Sequence, residues 1–207
     1  MGMFTKNYPE EIAHRIPPGQ RLVKTWPVLH YGPIPKFDGT QWPLELSGLV
    51  ENPVTLSYQQ LRELPNVKID ADMHCVTGWT TLDNTWEGVS FKTLKELCRP
   101  TDQARWVIAH CAHGYTSNLS LQAMDEDDVL VAWRNGGQDL SDEHGWPLRL
   151  VVPKRYAWKS AKWLTGLGFS AKNTRGFWEV RGYHIHAEPF GEERYAHQEG
   201  ARAELEP

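Results

Sequence analysis

Residues 142–164 read DEHGWPLRLVVPKRYAWKSAKWL. Within them Pro147–Val152 is an apolar strand closed by Pro153, and Tyr156–Leu164 has the makings of a short helix. Arg149 lies between Leu148 and Leu150 on that strand, where a guanidinium taken out of water needs a partner. Lys159 and Lys162 are three residues apart, which puts both on one face of the expected helix. Two ammonium groups beside a strand-borne arginine suit a phosphate or pyrophosphate. The same pattern also describes an exposed amphipathic helix whose lysine stems lie along apolar surface.

Outward from this stretch the elements are short. Leu44–Val50 alternates as a strand, and Ser57 opens a helix with Gln60 at the capping-box spacing and Pro65 ending it. Val67, Ile69, Ala71, Met73 and Cys75 fall at period two, a half-buried strand that ends in a cysteine. A turn is expected at Asp83-Asn84. Ser90 then caps a short helix with Phe91, Leu94 and Leu97 on one face, stopping before Pro100. Trp106–Cys111 is another strand ending in a cysteine, and Val129–Arg134 runs into Asn135-Gly136, a hairpin signal. Phe177–Tyr183 reads as the last strand. Residues 1–43, with Pro17-Pro18-Gly19, Pro27, Pro33 and Pro35, should wrap a body as loop. The fold class is α+β, with mixed and mostly antiparallel sheets and short helices. One domain spans 1–207, with 1–26 as a wrapping segment and 190–207 as a charged tail that frays.

Composition narrows the function classes. Of 207 residues 40% are hydrophobic and 23% charged, the balance of a folded globule rather than a disordered chain. Twenty-two basic against twenty-six acidic residues give −4, which offers no general attraction to nucleic acid or anionic lipid. The longest apolar run, Val129–Trp133, is far short of the roughly twenty residues a spanning helix needs. The N-terminus has no apolar core of the secretory kind, so a cytoplasmic location is expected. Three cysteines do not make a disulfide framework. Ten tryptophans are many for this length, and two explanations stand: a tryptophan-rich core, or a cradle for a large planar ligand.

The chemistry-bearing side chains fall in three groups. Cys75, in ADMHCVTGW, ends a strand where a glycine turn begins, a rigid position from which to present a thiol to a cleft. Cys98, on the apolar face of its helix, reads as core. His74, Cys75, His110, Cys111 and His113 are residue types that bind zinc or a softer metal. Adjacent His110 and Cys111 point to opposite faces of a strand, however, and no zinc-finger or His-Glu-x-x-His spacing is present.

MHCVTGW, HGYTSNLSL and DEHGWPLRLVVPKRYAWKSAKWL, in that order, resemble the molybdopterin-binding domain of the sulfite oxidase family, over roughly residues 27–188. The resemblance implies a sulfite-oxidase-type fold around one molybdenum–molybdopterin, with Cys75 ligating the metal through its thiolate. It places His144 and Arg149 on the pterin and its phosphate, and Ser160, Ala161 and Lys162 in the final phosphate-binding turn with Lys159 close by. WPVLHYGPIP is similar to the family's first cofactor-contacting segment, which brings in His30 and Tyr31; Cys111 takes the place of a small or hydroxyl residue near the cofactor. Tyr115 matches the tyrosine that faces the metal and would donate a hydrogen bond to the transferring oxygen. His184, in RGYHIHAEPF, lines the pocket or only packs.

One departure bears on substrate. Sulfite oxidases carry arginines just after the cysteine, whereas here the place reads Val76-Thr77-Gly78-Trp79. The resemblance therefore implies an oxidoreductase moving an oxygen atom to or from a small S- or N-oxide rather than sulfite. No heme, flavin or iron–sulfur motif is visible, so a separate redox partner is expected, such as a cytochrome, flavoprotein or quinone system. Two alternatives remain: a molybdopterin-binding module without efficient catalysis, and a zinc hydrolase built on the histidine–cysteine cluster.

Overall fold

The computed structural model describes residues 8–37 and 41–200; residues 1–7 of the expected wrapping segment and 201–207 of the expected tail lie outside the described residues. Its elements in chain order are α1 (Glu10–Ala13), β1 (Arg21–Leu22), β2 (Leu44–Gly48), β3 (Val54–Leu56), α2 (Tyr58–Glu63), β4 (Asn66–Cys75), β5 (Trp79–Ser90), α3 (Phe91–Cys98), β6 (Trp106–Cys111), β7 (Thr116–Ser120), α4 (Leu121–Met124), β8 (Leu130–Asn135), β9 (Gln138–Asp139), β10 (Arg149–Val151) and β11 (Leu164–Ser170). The architecture is α+β, and no described helix is long and apolar enough to cross a membrane.

Two sheets carry the structure. In the first, β5 pairs along its length with β4; its other edge takes β1 at the start and β8 at the end, and β10 continues beyond β8. The second runs β3-β2-β11-β6-β7. Among the described pairings only β1 with β5 and β11 with β2 are parallel. The apolar run at β8 is explained by burial on both faces: Val131 and Trp133 join the core shared with the second sheet, Leu130 and Ala132 the cluster behind the first.

The short helices start where the sequence says they do. Ser57 and Gln60 exchange backbone and side-chain bonds in a capping box, and Leu64 turns extended ahead of Pro65. Ser90 Oγ accepts from Thr93 N, and Phe91, Leu94 and Cys98 are buried behind it. The β8–β9 hairpin pairs Asn135 with Gln138, so its turn is Gly136-Gly137, both at positive φ, one residue beyond the expected centre.

Four expectations are corrected. Asp83-Asn84 is a bulge inside the long strand β5, with Asp83 at φ 56° and the β4 register shifting between Ala71 and Met73. That strand escapes an apolar-periodicity reading because its inner positions include Thr80, Thr81 and Asn84, all buried and hydrogen-bonded. Phe177–Tyr183 is a 3₁₀ turn over Glu179–Arg181, because Glu179 goes inward and Gly182 turns the chain at φ 93°. The last strand is instead β11, hidden in sequence by Gly166 and Gly168; a side chain at 168 would meet the His110 ring at 3.0 Å. The segment from Phe190 to Gly200 packs rather than frays: Tyr195 bridges Tyr183, Arg194 reaches Val76 O and Pro18 O, and Arg175 pairs with Glu199.

The fourth correction matters most for the site. Tyr156–Leu164 is not a helix but a series of turns in which Lys162 bridges back to Arg149 and Ala161 O accepts from Leu150 N. Lys159 and Lys162 therefore share no face. The Lys159 ammonium is fully buried and faces Glu179 Oε1 at 2.6 Å, Asn118 O at 2.7 Å, Asn118 Oδ1 at 2.9 Å and Ile185 O at 2.7 Å. Removing one member of such a pair leaves the other charged and unpaired. Lys159→Met should cost roughly 3–5 kcal/mol in urea unfolding, and adding Glu179→Gln should recover much of it. An unchanged midpoint in the single variant would show that the pair does not hold these segments together.

Candidate functional site

Where β10 hands over to β11 the two sheets meet, and beside that crossover lies a cleft of about 350 Å³. Its walls include the end of β4, the turns at 157–163 and the segment 26–31. Cys75 is at its edge, 7% exposed, on a clamped turn. Its carbonyl accepts from Gly78 N at 2.9 Å and Gln20 Nε2 at 3.2 Å, and Thr77 Oγ1 donates to its Sγ at 3.1 Å. Burial pushes the Cys75 thiol up from its ordinary range.

A cationic wall belongs to β10 and the turns after it. Arg149 is 4% exposed; its guanidinium lies over the faces of Trp26 and Trp86 and donates to His144 O and Ser160 O, while its Nε has no partner. Burial lowers it to about 10. Lys162 donates to Leu29 O at 2.7 Å and Glu143 O at 2.6 Å, and burial, helped by Arg149, lowers it to about 7. His144, held by Ser141 Oγ and set edge-on to Trp26, is depressed by burial and then by Arg149. Ser160 and Ala161 line the same wall, with Ser160 Oγ accepting from Val152 N.

The segment 26–31 crosses the cleft. His30 Nδ1 donates to Gly32 O, and its ring stands against Trp163; Tyr31, half exposed, rests on Phe177 at 4.2 Å. Tyr115 lines the cleft too, but its hydroxyl donates to Trp158 O at 2.7 Å. The expected donation to a transferring oxygen would first require exchanging that bond; the free lone pairs can only accept.

Three expected residues lie elsewhere. Lys159 is committed to the interior network, and Cys111 is buried off the cleft, its thiol pushed far up by burial. His184 packs, its Nδ1 accepting from His186 N and Ala187 N. The histidine–cysteine cluster does not converge: His110 is exposed, Cys111 buried, and no group of three or more His, Cys, Asp or Glu among the described residues could hold a metal. Trp26, Trp79, Trp158, Trp163 and Trp178 line the cleft and the other five tryptophans lie outside its lining. Thr77 and Tyr183 line it unforeseen; only the tryptophan count hinted at such a wall.

Residues 31–178 match the family model of the oxidoreductase molybdopterin binding domain. The chain belongs to that family. Over 193 residues it is 40% identical to the uncharacterized oxidoreductase YuiH of Bacillus subtilis (strain 168), covering 93% of this chain and 98% of that one. It is 27% identical to the putative protein-methionine-sulfoxide reductase subunit YedZ1 of Azospira oryzae, covering 84% and 67%, and 29% identical to sulfite oxidase of Arabidopsis thaliana, covering 74% and 48%. In fold it is similar to the sulfane dehydrogenase SoxCD of Paracoccus pantotrophus, with a TM-score of 0.62 at 20% identity over 80% of this chain and 54% of that one. Within this sulfite-oxidase-type group the protein is an oxidoreductase with a molybdenum–molybdopterin cofactor.

The cleft fits that group. Arg149, Lys162, His30 and His144 line it and, among the described residues, no carboxylate does, so two depressed cations face it without an acidic partner in that lining, while indoles supply flat surface. Lys162 gains its proton as pH falls through about 7. Binding of sulfate, whose charge is constant there, should therefore tighten from about pH 8.5 to about pH 6. Lys162→Met should flatten that dependence in equilibrium dialysis; an identical slope in the variant would assign it to another group.

Proposed function

We propose that this molybdopterin oxidoreductase carries out two-electron oxygen-atom transfer on a small, uncharged S- or N-oxide, with electrons exchanged through a separate partner. The observation that carries the reading is the contrast between the two parts of the cleft. Around Cys75 the lining is neutral and mostly apolar: Met73, Val76, Thr77, Trp79, Ala157, Trp158. The lining cations, Arg149 and Lys162, belong to the β10–β11 wall. Arg194 is close enough to favour the Cys75 thiolate, but it is outside the lining and its guanidinium is taken up by Val76 O and the face of Tyr156. Among the described residues a dianion such as sulfite finds no cation in the lining beside the cysteine, whereas a neutral oxide has no charge to desolvate.

The molybdenum–pterin group supplies the redox couple and the oxygen-atom exchange. Cys75 would hold the metal through Sγ, and because burial favours the thiol, loading would release its proton. Arg149 and Lys162 would fix the phosphate, with Ser160, Ala161 and His144 completing that wall. His30 and Tyr31 would cover the pterin, and the surrounding indoles would exclude water. A separate electron partner is supported by the relative named as a reductase subunit.

Purified protein should contain near-stoichiometric molybdenum and pterin, and should turn over S-oxides or N-oxides with a reduced viologen dye faster than it oxidises sulfite. Preferential sulfite oxidation would overturn the substrate reading; bound cofactor with no turnover across the panel would favour a binding module. Cys75→Ser should abolish turnover while keeping the fold and most of the pterin, since the phosphate wall is separate. Cys98→Ser, in the core, should stay active.

A further inference from the structure

The turn after β4 places one more polar group on the cysteine sulfur. Thr77 lies two residues beyond Cys75 and is exposed at the cleft, and its hydroxyl donates to the buried Cys75 Sγ at 3.1 Å. Its aim is set by the backbone. Gly78, at φ 89°, returns its N–H to Cys75 O at 2.9 Å, and Gln20 Nε2 holds the same carbonyl while its Oε1 accepts from Thr80 Oγ1 at 2.7 Å. Arg194 Nη1 clamps Val76 O at 2.6 Å. Every residue of the turn from Cys75 to Gly78 is thus fixed at its backbone or by its neighbour, and the threonine hydroxyl is left pointing at sulfur.

A hydrogen bond donated to a ligating thiolate draws electron density off the sulfur and lessens its donation to the metal. The electron-rich, reduced metal is stabilised relative to the oxidised one, and the reduction potential rises. We propose that Thr77 is a positioning residue for the metal-ligating sulfur, fixing the Cys75 Sγ direction and raising the potential of the molybdenum centre. This rests on the reading of Cys75 as the metal ligand.

The test compares holoprotein of the native chain, Thr77→Val, Thr77→Ser and Cys75→Ser. Midpoint potentials come from redox titration followed by the paramagnetic molybdenum signal, with metal and pterin content measured alongside. Thr77→Val keeps the shape of the side chain and loses the donor, so its potential should shift lower at unchanged metal content; Thr77→Ser should return it to the native value. Equal potentials in the native chain and Thr77→Val would overturn the proposal. Should Thr77→Val load no metal, Thr77→Ala carries the same comparison. A Cys75→Ser protein with native signal and potential would instead remove the metal-ligand reading, an outcome separable from a silent threonine.

Discussion

Arg149 is taken out of water where the chain passes from the first sheet to the second, and much of the site follows from how that charge is accommodated. Its guanidinium faces no carboxylate among the described residues that line the cleft. It is instead held between the faces of Trp26 and Trp86 and by the carbonyls of His144 and Ser160. Those four contacts come from the N-terminal segment, β5, and the turns on either side of β10. Satisfying one guanidinium therefore draws four parts of the chain together, and the cation left facing the cavity leaves it suited to an anion.

A second buried cation does the opposite work. Lys159 is surrounded by Glu179 and three further acceptors, so it contributes no charge to the cleft; it joins the 156–161 turns to β7 and to the 179–185 segment. Two basic residues three positions apart thus divide into one that faces the cleft and one that ties the walls. What separates them is the presence of a buried carboxylate partner for one and not for the other.

This is also where sequence and structure part. Cys75 was legible as a strand-end thiol because Val67 to Cys75 keeps period two, and Arg149 because a charge between leucines on a strand must be partnered. The helix caps at Ser57 and Ser90 were legible because capping is local. Lys159 was misplaced because its partner Glu179 is twenty residues on and nothing local marks it. Strand β5 was missed because its buried positions include Thr80, Thr81 and Asn84, tied to Gln20, Trp26 and His74 in a network that only the assembled chain makes. The resemblance supplied the cofactor, and the indoles that line the cleft became assignable only with the fold.

The clamp on the Val76–Gly78 turn has a consequence for how the protein comes to be made. One of its jaws is Gln20 and another is Arg194, so the cysteine's surroundings join residues far apart in sequence. Synthesis runs from the N-terminus, and the turn is emitted long before its last clamp exists. The thiol pocket cannot be assembled on the ribosome from the nascent β4 alone. Until residue 194 has been made and folded back, Val76 O lacks its clamp, so the surroundings of the cysteine are completed late in synthesis.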